Sequence, residues 1–133
     1  VDESRKLTGV VYSDLGRAAS FMEVESVAAA LLDAVGFAAC PGTLNLRLDT
    51  AEARRKWDAV KNDARGIEIA ARDATHCSAR CFRVRIEGNW PGAVILPAVA
   101  GYPADKLEVI APMRLKDALK VQDGARVSIE FVD

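Results

Sequence analysis

Residues 41–49 read Pro41-Gly42-Thr43-Leu44-Asn45-Leu46-Arg47-Leu48-Asp49. Successive side chains of an extended chain point to opposite faces, so Leu44, Leu46 and Leu48 share one side and Thr43, Asn45 and Arg47 the other. The spacing predicts a strand with one buried face, entered through a Pro-Gly turn. Asp49 is placed to cap a second helix, with Glu52 three residues on and Ala53, Trp57 and Val60 as its narrow apolar side.

The same reading extends outward. Leu7 to Ser13 is a β-favouring run, followed by a small, polar loop from Ser13 to Ser20. Val24, Val27, Ala28, Leu31, Leu32 and Val35 then mark one face of a helix, with capping-box spacing at Ser20 and Glu23 and a terminal glycine at Gly36. Gly66 to Ala71 is a weak strand. Arg80 to Glu87 is a clearer one, with Phe82, Val84 and Ile86 alternating with Arg83 and Arg85. Gly92 to Leu96 is continuously apolar, as for a strand buried on both faces. Lys106 to Ile110 is a further strand. Pro112 fits the first turn of a short helix with Leu115, Ala118 and Leu119 facing inward. Asp123-Gly124 turns the chain into a last alternating strand through Val127, Ile129 and Phe131. About seven short strands, two or three helices and no βαβ rhythm suit a small closed or nearly closed barrel with helices attached; an open antiparallel sheet covered by helices is the competing fold.

The 133 residues suit a single domain spanning 1–133. With 18 Lys and Arg against 19 Asp and Glu, the net charge of −1 argues against a nucleic-acid partner. The longest uncharged stretch, Gly88 to Ala104, is broken by Pro91, Pro97 and Pro103, so no membrane partner is expected. Residues 1–6 carry charge with no apolar run behind them, and the chain does not begin with Met, so upstream residues are expected to have been removed. Three cysteines form no disulfide framework and suit the cytoplasm.

No phosphate-binding GxxxxGK[ST] loop and no GxSxG elbow is present. His76, Cys77 and Cys81 form a sparse cluster, and only Cys40 remains as a fourth zinc ligand. On one strand, Cys77 and Cys81 lie about 13 Å apart at roughly 3.3 Å per residue, too far for a disulfide. They read as ordinary core or loop residues. Thr43 and Asn45 share a strand face and offer neutral hard oxygens of the kind Mg²⁺ accepts when phosphates complete its shell. The Asp14 to Ser20 loop precedes a helix start, where backbone N–H groups suit a phosphate. Glu108, between Leu107 and Val109, reads by itself as a surface carboxylate. Arg114 and Lys116 flank Leu115 and read by themselves as a solvated face.

Four stretches belong together: Gly9-Val10-Val11-Tyr12-Ser13 with the loop after it; Gly36-Phe37 followed by residues 41–49; Gly92-Ala93-Val94-Ile95-Leu96-Pro97; and residues 107–116, Leu-Glu-Val-Ile-Ala-Pro-Met-Arg-Leu-Lys, running on to Asp123-Gly124. In order and spacing they resemble the archaeal-type CTP-dependent riboflavin kinases. The resemblance implies a six-stranded cradle-loop barrel with outer helices, and transfer of the CTP γ-phosphate to riboflavin, or a related small alcohol, to give FMN. It implies Thr43 and Asn45 as Mg²⁺ ligands. It implies a nucleotide cradle of Leu15, Gly16, Arg17, Ala18, Ala19 and Ser20 with Met113, Arg114, Leu115 and Lys116, and Glu108 as a flavin contact. No catalytic base is evident.

The sequence also departs from the family pattern. One glycine, Gly16, remains of a glycine-rich loop, Asp14 adds negative charge and Ala18 a Cβ. Ala100 and Gly101 occupy the places of a threonine-tyrosine pair, so one flavin-contact hydroxyl is missing at Ala100. The alternative expectation is therefore a non-catalytic barrel that binds a nucleotide, flavin or other small ligand. A DNA-binding barrel is disfavoured by the charge.

Overall fold

The strand predicted around Leu44 and Leu46 forms, and the barrel closes around it. The computed structural model describes residues 5–13, 36–37, 44–62, 66–69, 79–98 and 101–132. The described elements are β1 (Lys6–Tyr12), β2 (Leu44–Arg47), α1 (Ala51–Lys61), β3 (Ile67–Ile69), β4 (Ala79–Ile86), β5 (Trp90–Pro97), β6 (Lys106–Ile110), α2 (Leu115–Leu119) and β7 (Arg126–Phe131).

All strand pairings are antiparallel. The order runs β3-β4-β5-β6-β2-β1-β7, and an additional β4–β7 pairing closes it. The long strand β4 makes this possible by dividing one edge between two neighbours. Ala79 to Cys81 pair with β3, while Val84 to Ile86 pair with β7. Six strands therefore make the barrel and β3 is an appendage. The open-sheet alternative is excluded by the β4–β7 ladder.

Leu7, Val11, Leu44, Leu46, Phe82, Val84, Ile86, Val94, Leu107, Val109, Val127, Ile129 and Phe131 join one buried core cluster. A six-stranded interior is narrow, and two inward glycines admit close approaches. A Cβ on Gly9 would stand 2.8 Å from Leu46 Cβ, and one on Gly92 would stand 2.6 Å from Ile86 Cδ1 and 2.7 Å from the Ile110 carbonyl oxygen. As expected of a strand buried on both faces, the outward Ala93 and Ile95 of β5 are buried along with inward Val94.

Helix α1 packs its Ala53 and Trp57 into the core. Trp57 stacks on Phe131 (5.6 Å between centroids, 13° between planes) and meets Phe82 edge-on at 5.3 Å. Its N-cap is Thr50, whose hydroxyl accepts from Ala53 N at 3.1 Å, not Asp49 as the capping spacing suggested. Asp49 is instead paired with Arg126 at 2.7 Å. Pro112 stands before α2 rather than in its first turn; Arg114 is the N-cap residue. The helix expected over residues 24–35 lies outside the described residues. Gly36, expected to end it, has φ +82°, the left-handed conformation in which glycine caps form. Two helices are present among the described residues, and neither is long and apolar enough to cross a membrane.

Candidate functional site

Antiparallel partners project their side chains to the same face of a sheet. The register pairs Tyr12 with Asn45, Asn45 with Glu108, and Glu108 with Ile95. One outward row thus crosses β1, β2, β6 and β5, with strands about 4.8 Å apart. Leu46, Leu107 and Val11 point the other way, into the core. The polar members of this row are not surface groups. Asn45 is 8% exposed and Glu108 7%. This corrects the reading of Glu108 as a surface carboxylate, and it shows Asn45, on the face opposite the leucines, to be buried as well.

A buried carboxylate needs partners. Glu108 Oε1 accepts from the Tyr102 hydroxyl at 2.8 Å and pairs with Lys106 Nζ at 3.2 Å. Lys106 reaches it because residues two apart on a strand share a face. Its ammonium also stands 5.5 Å from the centre of the Tyr102 ring. Tyr102 was missed in the sequence. It lies six residues before Glu108 in a turn, where no strand period applies. Lys106 was readable from the alternation of β6.

Tyr102 also lines a cleft of about 540 Å³. Trp57, Arg80, Leu96, Pro97 and Pro103 supply much of its wall. Arg80 is held there by donating Nη1 to the Lys61 carbonyl at 2.6 Å and by lying 4.9 Å from the Phe82 ring centre.

At the other end of the row the chain leaves β1 through Ser13. The turn before β7 is tied to this point by two backbone bonds, Val11 N to Ala125 O at 2.8 Å and Gly124 N to Val11 O at 2.7 Å. Ser13 Oγ donates to Asp123 Oδ2 at 2.7 Å, and Lys116 Nζ donates to Asp123 Oδ1 at 3.2 Å and to Ser13 Oγ at 3.3 Å. The Ser13 hydroxyl, then the Lys116 ammonium, hold the Asp123 carboxyl below its ordinary 3.8. Ser13, at the end of β1, is therefore bonded to Lys116 of the 113–116 segment, at the start of α2, and to Asp123 in the turn before β7. In the sequence Asp123 reads as a turn residue at the end of the fourth stretch that carries the resemblance.

Within that segment the side chains divide. Arg114 is exposed, with Nε 3.7 Å from Asp117 Oδ2. Leu115 is buried in the core and Met113 packs against it, so Leu115 can meet a ligand only through its backbone. Thr43, Leu15 to Ser20, Ala100, His76 and Cys77 lie outside the described residues. Cys81, on β4, is a free, fully buried thiol, and burial pushes its pKa up to about 12. A thiol so hard to ionise is a poor metal ligand. Among the described residues no three His, Cys, Asp or Glu side chains converge as a metal group.

The profile of the CTP-dependent riboflavin kinase family, described as "Domain of unknown function DUF120", matches residues 11–131. The chain belongs to this family. Its relatives include proteins named riboflavin kinase. That of Archaeoglobus fulgidus is 36% identical over 132 residues, covering 96% of this chain and 54% of the relative. That of Pyrobaculum arsenaticum is 36% identical, covering 97% and 61%. That of Aeropyrum pernix is 34% identical over 128 residues, covering 94% of both. The chain thus spans little more than half the length of the first two curated relatives and nearly all of the third. The family match covers both ends of the polar row and residues 113–116 beside it.

Proposed function

We propose that residues 1–133 act as a single riboflavin kinase domain that transfers the CTP γ-phosphate to a riboflavin hydroxyl, giving FMN and CDP, in a reducing compartment such as the cytoplasm. The observation that carries the reading is the continuity of the outward row. Glu108, Asn45 and Tyr12 lie side by side, and the next residue along β1, Ser13, is bonded to Lys116 and Asp123. A flavin-contacting end, an oxygen donor and a cationic end succeed one another in the order that acceptor, metal and nucleotide phosphates require. The relatives named riboflavin kinase supply the acceptor, and the family name supplies CTP.

The donor chemistry fits Mg²⁺: a neutral amide oxygen on Asn45, with Thr43 two residues before it, beside a carboxylate on the next strand. Asn45 and Thr43 would hold the ion, which when bound supplies charge neutralisation to the phosphates. The remaining work falls to the chain itself. Lys116 Nζ and the exposed Arg114 guanidinium are placed to hold phosphate charge as it spreads in a loose transition state. The bond from the γ-phosphorus to the β-phosphate oxygen breaks, one to the riboflavin hydroxyl oxygen forms, and the hydroxyl proton passes to solvent. Glu108 orients the flavin. The cleft of about 540 Å³ beside Tyr102 is of a size and apolar character suited to a small aromatic ligand.

Incubation with CTP, Mg²⁺ and riboflavin, with chromatography for FMN, tests the reading. FMN with stoichiometric CDP is expected. The altered loop, with Asp14 and Ala18 in place of glycines, favours one second reading, a ligand-binding barrel without turnover. CTP binding by calorimetry without FMN would select it. Neither binding nor turnover would overturn both.

A further inference from the structure

We propose that Tyr102 and Lys106 are positioning residues for acceptor recognition: they grip one oxygen of Glu108 and present the other to a hydrogen-bond donor on the flavin. The inference rests on the reading of Glu108 as a flavin contact. Both contacts fall on the same atom, Oε1, from the Tyr102 hydroxyl at 2.8 Å and from Lys106 Nζ at 3.2 Å. An ionised carboxylate offers about four lone-pair sites on its two oxygens. The Tyr102 hydrogen bond and the Lys106 ion pair both fall on Oε1 and leave Oε2 as an acceptor whose direction is set by the other two side chains. The two are themselves coupled, since the Lys106 ammonium lies 5.5 Å from the Tyr102 ring centre, within cation–π range.

The placement gives the grip a use beyond holding a buried charge. Tyr102 is on the wall of the cleft beside Trp57, Leu96 and Pro103, while Glu108 is on the polar row next to Asn45. The hydroxyl of Tyr102 therefore joins the apolar cleft to the row. An acceptor-only Oε2 at this junction favours a ring that carries an N–H over one that presents only acceptors, because an unmatched buried acceptor goes unpaired.

Tyr102→Phe keeps the ring and removes only the hydroxyl. We expect the riboflavin Kd, read from quenching of riboflavin's own fluorescence, and the riboflavin KM to rise about fivefold, the order of one lost hydrogen bond. The CTP KM and kcat should be unchanged, while the melting temperature should fall slightly, because the buried carboxylate loses a partner. Lys106→Gln should act in the same direction, and Lys106→Arg should restore affinity. In a Glu108→Ala background, Tyr102→Phe should have no further effect. An unchanged riboflavin Kd in Tyr102→Phe overturns the proposal, as does an equal effect with and without Glu108. If Tyr102→Phe fails to fold, the Lys106 pair decides by the same criterion. Wild-type protein that binds no riboflavin at all overturns the flavin reading itself, and the positioning role with it.

Discussion

Asn45 and Glu108 face each other across β2 and β6, and both are buried although both point away from the barrel core. Two polar side chains on neighbouring strands, removed from water and outside the core, are a costly arrangement unless each is satisfied. Among the described residues no buried side-chain nitrogen or oxygen lacks a partner. This pairing places an amide oxygen and a carboxylate within one strand spacing of each other, between the Ser13–Lys116–Asp123 cluster and the cleft.

Removing the amide tests that placement. Asn45→Ala should abolish Mg²⁺-dependent FMN formation by at least the ~10–100-fold that follows loss of even an outer partner of a metal, with an unchanged circular dichroism spectrum. Undiminished turnover would show that the metal is held elsewhere.

Asp123 makes a pH prediction. Its carboxyl is held below 3.8 by Ser13 and Lys116. A group with a depressed folded pKa stabilises the fold above its unfolded value, and that contribution disappears as pH falls through the folded value. Wild type should therefore melt slightly above Asp123→Asn at neutral pH, and the two curves should converge in acid below pH 3.8. A gap that widens in acid contradicts the assignment. Because the group is exposed, the gap should be small and shrink with added salt.

The resemblance to the kinase family places glycine at the positions held by Asp14 and Ala18. Glycine there allows positive φ and close backbone approach to phosphate. Asp14→Gly with Ala18→Gly should lower the CTP KM and raise kcat in the FMN assay. Unaltered constants would mean that the loop does not limit transfer.

Gly92 tests barrel closure. An added Cβ meets the Ile110 backbone carbonyl at 2.7 Å, which cannot move aside as a side-chain tip does. Gly92→Ala should destabilise the protein by about 1–3 kcal/mol, as overpacking does in a tight interior, read as a lower urea midpoint. A midpoint equal to wild type would show that β5 and β6 can separate without loss.

Much of the strand inventory was readable from period-two alternation: Leu44, Leu46 and Leu48, then Phe82, Val84 and Ile86, then Val127, Ile129 and Phe131. A buried inner face imposes that pattern whatever lies around it. The caps were less legible, because Asp49 and Thr50 both suit a helix start, and the ion pair of Asp49 with Arg126, 77 residues away, decided between them. The resemblance to one kinase family was likewise carried by short runs of residues. The sequence by itself thus determined the strands, the family and the polar side chains of the candidate site. Only the tertiary structure decided that the sheet closes through β4 and β7, that Asn45 and Glu108 are buried neighbours, and that Tyr102 and Asp123 belong at either end of their row. Those facts depend on register between distant strands and on burial of an outward face, and neither is a property of any local stretch of chain.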